Sequence, residues 1–369
     1  MIEKAEIDKM AARYTSEGFP LCSITALGSH SMLDIAKGAM DEGFRTIAIC
    51  KKGREQTYGR HYKFRSRGND YVGCIGETIV LDDWKEITKQ EVLDYLSKKN
   101  AIMIPHRSLE VYLKYGIIDS LPIPFFGNRE LLRAEERVDP LKVPKNQDYL
   151  IELAGIQAPK RFKSPEEIDR TVIVKATAAV GERDFMREFP KVKNPNQYEI
   201  ACAKQVKRGK TEEERVKIEK NFRSALIEEY MPGEKVNLNF FHSVIHNETE
   251  LLGCDIRKQF PNGEELLHQA VSLRESLLEK VFDMGERFVD ATKKVYPPGA
   301  IGSFSLQTVA DKDENLRVYD VSLRIPGSPD TEFTPYPGYL FREPISFGRR
   351  IAREIKEAIL AKRLEEVVS

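Results

Sequence analysis

Apolar and polar residues alternate with a period of two in two runs near the C-terminal end of the chain, within Ser303 to Arg324 (SFSLQTVADKDENLRVYDVSLR). The charged link Asp311-Lys312-Asp313-Glu314-Asn315 separates them, and the pattern predicts a β-hairpin. Successive side chains of a strand point to opposite faces. Asp320, Ser322 and Arg324 therefore share one face of the second strand, and Ser305 and Gln307 share one face of the first. Counting outward from the link sets Gln307 opposite Asp320.

Upstream, the period changes repeatedly between strand and helix. A charged amphipathic helix opens the chain, followed by apolar runs at Leu21 to Leu27, Arg45 to Cys50, Glu77 to Leu81 and Ala101 to Pro105. Helical patterns separate them, one through about Asp41 and one from Lys89 to Lys98. Such alternation predicts βαβ units and a mainly parallel, Rossmann-like sheet. Ligands of these sheets collect at the carboxyl ends of the strands. Gly28-Ser29-His30-Ser31 and His106-Arg107-Ser108 both fall at such ends. A Pro-rich link, Leu121 to Phe126, closes this lobe, and helices are predicted at 128–138 and 146–154. Thr171 to Lys175 and Ala225 to Met231 read as strands on either side of a polar helix, 211–221. Strands at 236–245 and 250–256, a long helix at 273–295, the hairpin and a last helix at 347–364 follow. The fold class is α/β followed by α+β, divided at 1–126, 127–232 and 233–369.

Composition narrows the function. Lysine plus arginine balances aspartate plus glutamate at 58 each, which speaks against nucleic acid and membrane surfaces as partners. No run approaches the ~20 apolar residues of a membrane span. Five scattered cysteines without a C-x-x-C pair fit a reducing, cytoplasmic setting.

The candidate chemistry is that of phosphate and a hard cation. A carboxylate, an amide oxygen and a guanidinium on one hairpin face suit Mg²⁺ and phosphate oxygens, since Mg²⁺ often takes one or two protein oxygens beside substrate phosphates. The same groups could also line a solvated strand face. Gly28 to Ser31 could bind an anion at a helix start, or its serines could cap the helix. Lys175 ends an apolar strand and could hold phosphates, or could be an ordinary strand-end lysine. Glu228-Glu229-Tyr230-Met231 could be a hinge that frames a nucleotide, or a strand leaving the core. There is no P-loop, G-x-S-x-G or H-E-x-x-H motif.

Lys175, the Ile-Glu-Glu-Tyr segment some fifty residues later and the distal hairpin together resemble an ATP-grasp ligase. Leu27-Gly-Ser-His30, Ile104-Pro-His-Arg-Ser108, Phe126-Gly-Asn-Arg129, Thr171 to Lys175, Glu228-Glu-Tyr230, Arg274-Glu-Ser-Leu-Leu278, Pro297-Pro-Gly299, Leu306-Gln307 and Gly348 to Ile355 occur in one archaeal family in this order. On them the chain is similar to the formate-dependent FAICAR synthetases. The resemblance implies an ADP-forming carbon–nitrogen ligase of purine synthesis, with ATP and Mg²⁺ (or Mn²⁺ in its place), AICAR and formate as substrates, and a homo-oligomer. It assigns His30 and Ser108 to AICAR, Lys175, Glu228, Glu229, Tyr230 and Met231 to ATP, Gln307 and Asp320 to the metal, and Arg324 to the transferring phosphoryl group. Three places depart from the family pattern: the loop Ala176 to Phe185 holds a single glycine; the stretch between Asp255 and Leu273 is shorter, with Gln259 where an acidic nucleotide contact is expected; and Asp320 stands where the family has Glu at the second metal position, followed by a turn that reads Gly327-Ser-Pro-Asp330. A ligase for another acid and amine, or a nucleotide-binding homologue without catalysis, are the alternatives.

Overall fold

The computed structural model describes residues 2–16, 22–136, 145–175, 190–259 and 265–369. Its first lobe contains α1 (Lys4–Ser16), β1 (Ser23–Leu27), α2 (Met32–Asp41), β2 (Arg45–Lys51), a ribbon of β3 (Arg65–Arg67) and β4 (Asp70–Val72), β5 (Glu77–Leu81), α3 (Gln90–Lys98), β6 (Ala101–Met103), α4 (Arg107–Tyr112) and α5 (Tyr115–Ser120). The predicted sheet is there and wholly parallel, in the order β5-β2-β1-β6. Strand order reverses beside β1, so the ends of β1 and β6 border the crevice where open parallel sheets take their ligands. β1 is buried along its whole length, and Thr25 meets this by donating its hydroxyl to Ile47 O at 2.9 Å.

A second lobe carries α6 (Gln147–Leu153), β7 (Arg161–Phe162), β8 (Val172–Lys175), β9 (Lys191–Val192), α7 (Pro195–Val206), α8 (Glu212–Arg223) and β10 (Leu226–Glu229). Its sheet runs β7-β10-β8-β9 over a small core of Phe162, Val172, Val174, Tyr198, Phe222 and Ile227. Thr211 and Glu214 form a reciprocal capping box that starts α8 where the polar run begins.

The third lobe is an antiparallel sheet, β13-β12-β11-β14-β15, made of β11 (Glu234–Ser243), β12 (Glu248–Gln259), β13 (Glu265–Val271), β14 (Gly302–Ala310) and β15 (Leu316–Ser322). Helices α9 (Leu278–Val295), α10 (Pro335–Phe341) and α11 (Phe347–Ala361) complete it. Val236, Leu238, Phe304, Leu306 and Val321 cover one sheet face and share a core with Val281, Met284 and Phe288 of α9. The polar residues between them are left to the opposite face.

Several elements differ from the sequence expectation. Residues 130–135 form a 3₁₀ turn in the stretch expected as a helix from 128. The long helix starts at Leu278 after a 3₁₀ turn rather than at 273. β3, β4, β13, α7 and α10 carry no clear period and were not expected from the pattern.

α11 returns across the molecule to pack on α2, and the two helices touch through Gly38 and Gly348. Glycine in an exposed helix costs about 1 kcal/mol against alanine, so propensity alone favours Gly38→Ala. Here the added Cβ would fall within the Arg349 backbone, and overpacking of that kind costs roughly 1–3 kcal/mol. Gly38→Ala is therefore expected to lower the urea midpoint. Gly116→Ala in α5, where a Cβ meets nothing within 4 Å, should leave it unchanged or raise it.

Candidate active site

The hairpin register pairs Gln307 with Asp320 and Ser305 with Ser322. A bulge follows, because Thr308 pairs with Val318 and leaves Tyr319 as the extra residue. β11 continues both rows, with Asn237 opposite Gln307 and Asn239 opposite Ser305, and β12 sets Asp255 opposite Asn237. One sheet face thus carries the row Asp255–Asn237–Gln307–Asp320 across four strands.

At one end of this face stand the nucleotide candidates. Lys175 at the end of β8 is buried, pairs with Glu228 of β10, and lies 5.1 Å from the centre of the Tyr319 ring. The bulged Tyr319 therefore sets Lys175 against the strand that carries Asp320. Glu228 points inward from β10, whereas Glu229 points out and accepts from Arg170 and the Lys160 amide, each at 3.3 Å. Tyr230 lies under Lys191, whose Nζ is 3.8 Å from the ring centre, and Arg317 of β15 reaches Met231 Sδ at 3.2 Å. All four hinge residues are tied to the strand that carries Asp320 or to β8 and its neighbours.

The metal candidates fit a hard ion. Gln307 is buried and its amide nitrogen faces the Ser322 hydroxyl at 3.5 Å, which leaves the carbonyl oxygen for a cation; Asp320 is half-buried. Among the described residues no group of three or more His, Cys, Asp or Glu side chains is arranged to hold a metal. Two protein oxygens beside phosphate oxygens is a magnesium arrangement, not that of a closed protein cage.

At the other end stand the substrate candidates. His30 takes a left-handed backbone, φ +49°, and its ring stacks on His106 at 5.7 Å. Ser31 occupies the first position before α2 yet does not cap it; its hydroxyl donates instead to Pro326 O at 3.0 Å and meets His30 Nδ1 at 2.8 Å. The capping explanation of that serine is set aside in favour of a contact between lobes. His106 is fully buried, and its Nδ1 accepts from the Ser108 amide at 3.2 Å. The proton must then sit on Nε2, which donates to Leu27 O at 2.9 Å. Burial holds His106 down to about 4 and His30 to about 3, in the latter case helped by Arg324, His106 and Arg107, so both rings are neutral at ordinary pH. The backbone at Gly327 passes so close that a Cβ would lie 2.9 Å from the His30 ring, which explains a glycine in the turn after the hairpin.

Arg324 lies between the two ends and is not a lone cation. It is buried, with Nη2 3.3 Å from Glu135 and Nε 3.7 Å from Glu110. Arg107 joins the same two acids at 3.5 and 2.9 Å. Glu110 and Glu135, and the buried Asp255, were missed by sequence reasoning. Asp255 accepts from Asn237, Asn239 and Ser328, each at 2.7 Å, and meets His268 Nδ1 at 2.9 Å. Burial works against its charge, but these four hydrogen bonds outweigh it and keep the carboxyl below the usual range. Its signal lay in the alternation Val236-Asn-Leu-Asn-Phe240, which places two amides on a face needing an acceptor. The loop Ala176 to Phe185 and the Gln259 side chain lie outside the described residues.

Two family models match the chain, one described as a protein of unknown function (DUF1246) over residues 24–162 and one as a domain of unknown function (DUF1297) over residues 204–266 and 261–369. The 5-formaminoimidazole-4-carboxamide-1-(beta)-D-ribofuranosyl 5'-monophosphate synthetase of Methanopyrus kandleri is 35% identical over 100% of both chains. That of Methanocaldococcus jannaschii is 32% identical, again over 100% of both. The chain belongs to this FAICAR synthetase family. A crystal structure of an IMP biosynthesis protein, PurP, from Thermococcus kodakaraensis is 26% identical and superposes with a TM-score of 0.68, covering 94% of this chain and 100% of that one. An ADP complex of N5-carboxyaminoimidazole ribonucleotide synthetase, 13% identical, superposes at 0.55 over 84% of this chain and 72% of its own. At that identity it shows only the shared architecture, which is the ATP-grasp fold. FAICAR synthetase relatives being ligases, an ATP-dependent carbon–nitrogen ligase is the class to which the chain belongs. No helix among the described residues is long and apolar enough to cross a membrane.

Proposed function

We propose that this protein converts AICAR to FAICAR with ATP and formate, in purine nucleotide synthesis. The observation that carries this reading is the polar sheet face with Lys175 and the hinge at one end, Gln307 and Asp320 along it, and the Ser31–Pro326 contact that brings the His30 turn to the other, with Ser108 bound to the His106 ring stacked on His30. Residues 1–126 supply the amine substrate lobe, 127–232 the small nucleotide lobe, and 233–369 the sheet that bears the metal ligands.

The chemistry has two transfers. A formate oxygen attacks the γ-phosphorus of ATP, its bond to the β-bridging oxygen breaks, and ADP leaves as formyl phosphate forms. The 5-amino nitrogen of AICAR then attacks the formyl carbon, phosphate leaves, and one amine proton is lost. Glu228 to Met231 frame adenine and ribose, and Lys175 exchanges its Glu228 partner for phosphate oxygens. Gln307 and Asp320 would hold Mg²⁺, or Mn²⁺, which screens charge on those oxygens. Neutral His30 and Ser108 hold AICAR, and Arg324 faces the transferring group. Positioning and electrostatics are the main demands of such transfers. A homo-oligomer in the cytoplasm completes the reading.

The test is ADP release from protein, Mg²⁺ and ATP with AICAR and formate added singly and together. ADP that forms only when both are present, with FAICAR in equal amount, supports the reading. ADP formed equally well without AICAR, or with acetate in place of formate, overturns it.

A further inference from the structure

Three carboxyl groups crowd two guanidinium groups at the seam between the lobes. Glu110 and Arg107 come from α4, Glu135 ends the 3₁₀ turn with Glu136 just after it, and Arg324 lies two residues past β15. Glu110 and Glu135 both touch the same nitrogen of Arg107, so their charges repel across one donor. Tyr115 of α5 adds a hydroxyl, 3.3 Å from Glu136 Oε1, and supplies no charge. His106 and His30, the nearest rings of the first lobe, are held neutral. Among the described residues Arg107 and Arg324 are the guanidinium groups paired with Glu110 and Glu135, while Arg133, beside the Tyr115 ring, pairs with Asp119 and Asp320 adds a further negative charge facing Glu136.

Glu110 is where the imbalance falls. It is 1% exposed, and Oε1 is buried without a hydrogen-bond partner, while Oε2 alone serves Arg107. A bare oxygen on a buried carboxylate is costly, and a proton removes the charge that makes it so. Glu135 is better served, since it also accepts from the Leu323 amide and Arg324.

We infer that Glu110 carries a proton in the free protein, and that this proton frees positive charge on Arg324 and Arg107 for an anionic substrate. Glu110 is in this sense a positioning residue whose protonation is linked to substrate binding. Burial and the neighbouring Glu135 both raise Glu110 far above the ordinary carboxylate range, which agrees with the geometry. With every acid ionised the cluster repels a phosphate; with Glu110 neutral that repulsion is relieved. An anion arriving beside the guanidinium groups must then draw a proton onto Glu110 wherever the free protein has begun to lose it. The inference rests on the proposed AICAR site.

Isothermal titration of the full-length protein with AICAR, in two buffers of different ionisation enthalpy at pH 8, reads this linkage directly. Phosphate monoesters are already dianionic there, so the ligand contributes no proton. We expect uptake on the order of half a proton per AICAR, and affinity that weakens about tenfold between pH 7 and pH 9. Glu110→Gln, which mimics the neutral acid, should bind AICAR with no uptake and with a flat pH dependence. AICAR binding without proton uptake, or uptake that persists in Glu110→Gln, overturns the inference and leaves the functional reading standing. Complete absence of AICAR binding by the native protein overturns both. If Glu110→Gln fails to fold, the native protein's own pH dependence decides, and a flat one overturns the proposal.

Discussion

Asp320→Ala is expected to lower ATP turnover by about 10³-fold while AICAR binding changes little. The metal contribution to charge stabilisation is several kcal/mol, and each 1.36 kcal/mol is a factor of ten in rate. Asp320 supplies the one carboxylate of the Gln307–Asp320 pair, so its loss leaves a lone amide oxygen to hold the ion. His30 and Ser108 belong to the first lobe, where His30 stacks on His106 and the Ser108 amide donates to the same His106 ring. AICAR should therefore not sense the change. ADP release against Mg²⁺ concentration, with AICAR affinity measured separately, checks both halves. An unaltered metal dependence in the variant would remove Asp320 from the metal site, and an equal loss of AICAR affinity would deny the division between the two ends.

The second large effect concerns the seating of α11 on the sheet of the third lobe. Arg350 on α11 is 1% exposed and gives two 2.7 Å hydrogen bonds to Glu250 of β12, with Glu354 3.0 Å away. Glu354 in turn accepts from Ser243 and the Ile245 amide, so a single guanidinium joins α11 to two strands. Its carbon atom also lies 4.3 Å from the centre of the Phe241 ring. Arg350→Ala strands two buried carboxylates, and breaking such a network from one side costs roughly 3–5 kcal/mol. A large fall in the urea midpoint is expected. The double change Arg350→Met with Glu250→Leu should recover much of it, because it removes charge on both sides. A double variant as unstable as the single one would assign the loss to packing rather than to stranded charge.

These two results concern features of unequal legibility. Asp320 and Gln307 could be paired by counting from the hairpin link, because the link and the alternation fix a register whatever surrounds it. The β1 and β6 ends could be placed beside a ligand crevice for a similar reason: long apolar runs alternating with helices leave few topologies. Arg350, Glu250 and Glu354 read as ordinary surface charges in an amphipathic helix and a strand, and nothing local marks them as buried.

The same contrast holds within the candidate site. Period and spacing determined the strands, the parallel sheet, the hairpin and the pairing of Gln307 with Asp320, since each follows from backbone geometry over a few residues. Family resemblance supplied the proposed roles. Tertiary structure alone decided that Lys175 faces Glu228 and Tyr319, that Asp255 gathers two amides, a histidine and a serine, and that Arg324 meets two acids rather than open solvent. Each of these contacts joins residues far apart in the chain, and their charge states depend on how much water the packed lobes exclude. That quantity has no period along a sequence.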